Sequence, residues 1–145
     1  MLRLGSILLL AMIVLLLVPF ASSRAGSDAG AVARGKYLVE DVALCQDCHT
    51  PRTEDGALDR ARWLQGGPHG FRPAGNRKAD DWRDEAPAIA GLPGWLKDED
   101  AIHFLTHGVR ADGTPPLPPM KSFHMKREDA VAVVAYLRSL EPARK

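Results

Sequence analysis

The chain has 145 residues, enough for one domain and no second sizeable core. Its 19 basic and 18 acidic side chains leave a formal charge of +1, with no run of five like charges, so nucleic acid and strongly anionic surfaces are excluded as natural partners. With only two cysteines, it lacks the pairs of ligands that a structural zinc site requires.

Arg3 precedes an unbroken apolar run from Ile7 to Phe20, and small residues come next at Ala21, Ser22 and Ser23. That order reads as a secretory signal peptide over residues 1–23, cut after Ser23 or, alternatively, after Ala25. The competing reading is an uncleaved anchor, but the run falls short of the roughly 20 residues that span a bilayer. Loss of Arg3 leaves 18 basic residues against 18 acidic, a mature charge of about zero. The chain is thus expected outside the cytoplasm, in the periplasm, and associated with the membrane only if this segment is retained.

Residues 24–30 are small and polar and read as a flexible tail. A helix is expected over Ala31 to Leu44, with apolar positions at Val32, Val39, Val42 and Ala43. Gly35 inside it costs about 1 kcal/mol relative to alanine. It is either merely tolerated or lets another helix approach closely, with Tyr37 packing on the same partner.

This helix leads into Cys45-Gln46-Asp47-Cys48-His49. Two thiols three positions apart with an imidazole directly after the second are what covalent haem attachment needs. The thiols add across two vinyl groups, and the histidine can ligate the iron from one face. A disulfide oxidoreductase without haem is the alternative use of the two cysteines, but it leaves His49 unexplained, and no βαβ pattern surrounds the pair.

Arg34-Gly35-Lys36-Tyr37-Leu38-Val39 together with Cys45-Gln46-Asp47-Cys48-His49-Thr50-Pro51-Arg52 resembles the amino-terminal half of a class I mono-haem cytochrome c. The likeness is greatest to the cytochrome domains that accompany periplasmic alcohol, aldehyde and sugar dehydrogenases, and it spans residues 31–142. It implies an all-α cytochrome c-like fold: three principal helices and long loops around one covalent haem c. It also implies that the first helix packs against the last, with glycine and aromatic residues at the crossing.

Glu54 to Arg62 is polar and suits a short helix or turn. From Trp63 to Trp95 glycines and prolines dominate, with tryptophans at 63, 82 and 95. So long a loop in a compact domain is usually functional or disordered. Folded against a macrocycle, its indoles would cover apolar surface, and indole N–H groups, Arg72, Arg77 or Arg83 could meet the haem carboxylates. Asp80, Asp81, Asp84 and Glu85 balance those arginines, so a plain solvated loop is the competing reading.

Lys97 to His107 has acidic residues in its first turn, an apolar face of Ile102, Phe104 and Leu105, and Gly108 to end it. His103 and His107, four apart, have metal-binding spacing but read more simply as surface histidines near a helix carboxyl end. Asp112-Gly113 then marks a turn. Pro115, Pro116, Pro118 and Pro119 pre-set a stiff, extended approach to Met120. A methionine held in this way suits a weak thioether ligand, and the resemblance places the second axial ligand in such a Pro-Pro-Met segment. His124 would instead give a bis-histidine haem, and Met125 opens the last helix. Lys121 stands where the family often has proline.

The final helix is expected over Arg127 to Leu140, with a stripe of Ala130, Val133, Val134, Leu137 and Leu140. Lys126 is a poor N-cap. Tyr136 and Leu137 are placed to meet Gly35 and Tyr37, Pro142 ends the element, and residues 143–145 form a loose tail. With Cys45, Cys48, His49 and Met120 committed to the haem, the expected role is electron transfer between a dehydrogenase donor and an oxidase or other cytochrome acceptor. The alternative is a haem enzyme, or a sensor of peroxide or gases, in which Met120 dissociates.

Overall fold

In the computed structural model residues 22–70 and 82–142 are described, with backbone alone for 22–27. The signal-peptide run, Arg72, Arg77, Asp80, Asp81 and the 143–145 tail lie outside the described residues. The chain divides into Met1–Gly30 and Ala31–Lys145, and the second unit holds both the core and the Cys-x-x-Cys-His motif. No described helix is long and apolar enough to cross a membrane.

The architecture is helical. Helix α1 is Ser22–Tyr37, beginning well ahead of the Ala31 expected from the sequence, and the single-turn α2 is Gln46–His49. The two longer carboxyl-terminal helices are α3, Asp98–His107, and α4, Arg127–Ser139. A two-residue antiparallel ladder pairs β1 (Gly67–Pro68) with β2 (Glu85–Ala86), Gly67 opposite Ala86 and Pro68 opposite Glu85. The sequence pattern predicts no strand, and this one is too short to change the fold class.

The first helix does not continue as an α-helix to Leu44. Over Leu38–Val42 it widens into a π-type turn, with Ala43 N–H bonded to Leu38 O at 2.8 Å and Cys45 N–H to Val39 O at 3.0 Å. Leu44 then takes a left-handed conformation, φ 53°. Glycine usually fills this position, and a leucine there costs on the order of 1 kcal/mol. The reversal swings Cys45 off the axis of α1 and starts α2.

Gly35 is where α1 meets α4. A Cβ there would stand 1.9 Å from the Ala132 carbonyl oxygen and 2.7 Å from Tyr136 Cβ, so only glycine permits this approach. Tyr37 takes no part in the crossing. It is 50% exposed and lies beneath the Arg34 guanidinium, 5.5 Å from the ring centre. The aromatic at the crossing is Tyr136, whose hydroxyl donates to Glu40 of the π-type turn. Arg34 also pairs with Asp129 of α4 at 3.0 Å.

Helix α4 buries Ala130, Ala132, Val133, Val134, Tyr136 and Leu137. Its Lys126 cap makes no side-chain capping bond, as its chemistry implies. Helix α3 carries Asp98, Glu99 and Asp100 in its first turn and ends at Gly108, φ 73°. Arg127 grips Glu99 through both carboxylate oxygens at 2.9 Å, and Arg138 pairs with Asp98 at 2.8 Å. The same Arg138 donates to the carbonyls of Gly91, Leu92 and Leu96, pinning the loop that precedes α3.

The described parts of the long Trp63–Trp95 loop are packed at Leu64, His69 and Ala90–Leu92 and exposed at Arg83–Glu85 and Trp95. Leu64 and Val39 are fully buried in the common core. The Leu64 amide donates to Thr50 Oγ1 at 2.9 Å, and its carbonyl accepts from the Ile89 and Ala90 amides at 2.9 and 3.0 Å. The loop is therefore stitched to the end of α2.

Candidate functional site

One turn of helix presents the three residues singled out by spacing. His49 N–H bonds to Cys45 O at 2.9 Å and Thr50 N–H to Gln46 O at 3.0 Å, so 45, 48 and 49 stand at i, i+3 and i+4 on one face. Both cysteines are free, partly buried thiols. Burial pushes the Cys45 thiol up to about 11, and burial followed by the Asp47 charge raises Cys48. A thiol-exchange centre works through a depressed thiol pKa, so this environment is the opposite of a disulfide oxidoreductase's.

His49 is buried, and its Nδ1–H donates to the Pro87 carbonyl at 2.8 Å. A carbonyl can only accept, so the tautomer is fixed and Nε2 keeps its lone pair. Burial is the main cause that lowers the imidazole's pKa and favours its neutral form, with the neighbouring His69 acting in the same direction. An oriented, neutral imidazole whose other nitrogen is tied to a carbonyl is what iron ligation requires. Further support comes from behind: Gly66 N–H donates to the His49 carbonyl at 2.7 Å. Gly66 itself is left-handed, φ 74°, and a Cβ there would meet Ala88 N at 2.5 Å.

The Met120 segment reaches this turn through a third stretch of chain. Arg83 N–H donates to Pro118 O at 2.9 Å, and Met120 N–H bonds back to Leu117 O at 3.2 Å. Residues 83–87 thus run from the proline-rich segment to the carbonyl that holds His49. Lys121, next to Met120, is near enough for its charge to act on the Cys48 thiol. Met120 is partly buried. Its competitors are otherwise engaged. Met125 packs against the core with its amide on Leu105 O at 3.0 Å, and His124 is exposed, its ring against Gly108.

Trp63 lies under the Arg60 guanidinium at 4.2 Å, whereas Trp95 is 81% exposed. His103 and His107 stack, ring centres 4.2 Å apart, and among the described residues no group of three or more candidate ligands could hold a metal ion.

The residues fit a covalent haem: two thiols and an imidazole on one face, the imidazole in the ligating tautomer, and a buried indole N–H, Trp82 Nε1, with no acceptor among the described residues. Sequence reasoning missed Pro87, Thr50 and Leu64. Pro87 acts through its backbone carbonyl and carries no side-chain signal.

Comparison with known proteins agrees. The cytochrome c family model matches residues 32–141. The chain is 36% identical over 112 residues to a diheme cytochrome c-type protein of Cereibacter sphaeroides, covering 72% of this chain and 34% of that one. It is 32% identical over 116 residues to the fructose dehydrogenase cytochrome subunit of Gluconobacter japonicus, covering 74% and 21% respectively. It is 30% identical over 129 residues to the gluconate 2-dehydrogenase cytochrome c subunit of Pantoea cypripedii, covering 83% and 28%. The matched region thus spans 34% or less of the length of these relatives. By a family match over most of its length, joined to its helical fold and Cys-x-x-Cys-His turn, the chain belongs to the cytochrome c family, the covalent-haem proteins of electron transfer.

Proposed function

We propose that this chain is an exported electron carrier with one haem c, bonded through Cys45 and Cys48 and ligated by His49 and Met120. The single Cys-x-x-Cys-His motif supports one haem. The observation that carries the reading is the 2.8 Å bond from His49 Nδ1–H to Pro87 O, which commits the imidazole to presenting Nε2. Bound haem supplies a one-electron couple at its iron. Cys45 and Cys48 would hold it covalently, and His49 and Met120 would supply an imidazole nitrogen and a thioether sulfur to its iron. A thioether paired with a histidine ligand would favour the reduced state, as suits a carrier. No side chain here needs to move a proton, which suits a carrier and not a catalyst.

Relatives named as cytochrome subunits of fructose, gluconate and alcohol dehydrogenases support a dehydrogenase as donor. The acceptor proposed is an oxidase or another cytochrome, met through a small, rapidly dissociating contact. The apolar run ahead of Ser22 supports export to the periplasm, with membrane attachment if it is retained.

The test is the optical spectrum of the oxidised protein from a cytochrome-maturing host. A weak far-red charge-transfer band that disappears in Met120→Ala is the expected result. Its absence in the parent, with rapid cyanide or carbon monoxide binding, would instead favour a haem enzyme or sensor. A colourless protein with titratable thiols would return the cysteines to disulfide chemistry.

A further inference from the structure

Three of the chain's five histidines, His103, His107 and His124, gather at the carboxyl end of α3, and the haem reading uses none of them. His103 and His107 are four apart on one helix face, and their rings already converge, centres 4.2 Å apart and planes 18° from parallel. His107 is exposed and His103 half-buried, so both are open to an ion arriving from solvent. The backbone that carries them is well tied. Gly108 N–H bonds to Phe104 O at 3.0 Å, Met125 N–H to Leu105 O at 3.0 Å, and Ser122 Oγ–H to Gly108 O at 3.0 Å.

The His107 ring is held in one tautomer. The Thr106 hydroxyl donates to Ile102 O at 2.9 Å, which leaves its oxygen to accept from His107 Nδ1–H at 2.7 Å. The His103 carbonyl, which can only accept, shares that proton at 3.2 Å. Nε2 of His107 therefore keeps its lone pair, the arrangement in which a histidine ligates a metal. Simple stacking would explain the ring contact but asks nothing of the tautomer. The carboxyl end of a helix also favours a cation. Two nitrogens on one tetrahedral zinc stand about 3.3 Å apart, and closing the stacked rings to that span takes a turn of the His103 side chain, not a backbone movement.

We propose that His103 and His107 bind one divalent transition-metal ion of the zinc(II) class through their imidazoles, with water in the remaining positions. Imidazole donors select such an ion over magnesium or calcium, which prefer oxygen. Among the described residues no third candidate ligand joins the pair, so this is a surface site with exchangeable positions and not a closed structural centre. The proposal uses α3 alone and does not depend on the haem reading.

The experiment titrates zinc(II), which has no redox chemistry of its own, into the reduced, haem-loaded protein carrying ¹⁵N-labelled histidine. Saturable binding of one ion is expected by calorimetry, with a large nitrogen shift at His107 Nε2 while its Nδ1 stays protonated. His103→Gln and His107→Gln should each weaken binding about tenfold or more, because each removes one arm of a chelate. Their zinc-free melting temperatures should match the parent's. His124→Gln, whose native ring lies against Gly108, is expected to bind zinc as the parent does, and magnesium should shift no histidine nitrogen. Zinc that leaves His107 Nε2 unmoved, or affinity that survives both single substitutions, would overturn the proposal. So would an equal loss in His124→Gln. If a variant does not melt like the parent, the parent's own nitrogen shifts decide.

Discussion

Three side chains depend on their surroundings for what they do. His49 suits the iron ligation proposed for it because Pro87 fixes its tautomer. Met120→Ala removes the proposed thioether, and its expected outcome is loss of the far-red band together with a lower midpoint potential, read by spectroelectrochemistry. Tyr136 tests the helix crossing. Burial first, and then its bond to Glu40, push its hydroxyl from 10.0 to about 12. Because the folded pKa is the higher one, the hydroxyl's contribution is fully present below pH 10 and is lost as pH rises towards 12. Denaturant midpoints measured across that range should fall more steeply in the parent than in Tyr136→Phe. Equal slopes would show that the hydroxyl's environment is ordinary.

Between elements, Gly35 sets the distance of α1 from α4. Replacing glycine by alanine in a helix normally gains about 1 kcal/mol. Here the new Cβ would press on the Ala132 backbone at 1.9 Å, and overpacking of this kind costs about 1–3 kcal/mol, more when backbone must move. The clash wins, so Gly35→Ala is expected to lower the melting temperature by several degrees. Gly30→Ala, with nothing within 4 Å, should be neutral or mildly stabilising in the same melt. Helices α3 and α4 were legible in the sequence to within a residue, because apolar spacing, acidic first turns and Gly108 all agree. The end of α1 was not. The π-type turn and the left-handed Leu44 are imposed by tertiary packing and by the need to present Cys45, and no local preference of Leu38–Leu44 asks for them. Of the two aromatics the sequence offered at the crossing, Tyr136 lies against Gly35, whereas Tyr37 is half exposed, a choice that only packing between the helices makes.

At the scale of the whole unit, the core of Val39, Leu64, Ile102, Val133 and Leu137 draws on both halves of the chain. That Cys45, Cys48 and His49 share one turn was legible from their spacing. Their supports were not, because Pro87 O, Gly66 N and Thr50 Oγ1 arrive from loops whose path depends on the assembled site. With so small a polypeptide core, a covalent macrocycle should form a large part of the stable fold. Cys45→Ser with Cys48→Ser is therefore expected to reduce accumulation of folded protein as well as its colour, measured by near-ultraviolet dichroism and yield from the same host.

The most direct measurement is the intact mass of protein produced in a host whose cytochrome-maturing machinery is active, taken after acid-acetone extraction. The expected mass is the polypeptide plus one haem, with the addition lost in the Cys45→Ser, Cys48→Ser variant. A mass equal to the bare polypeptide, with a control cytochrome from the same cells fully loaded, would contradict covalent haem attachment outright.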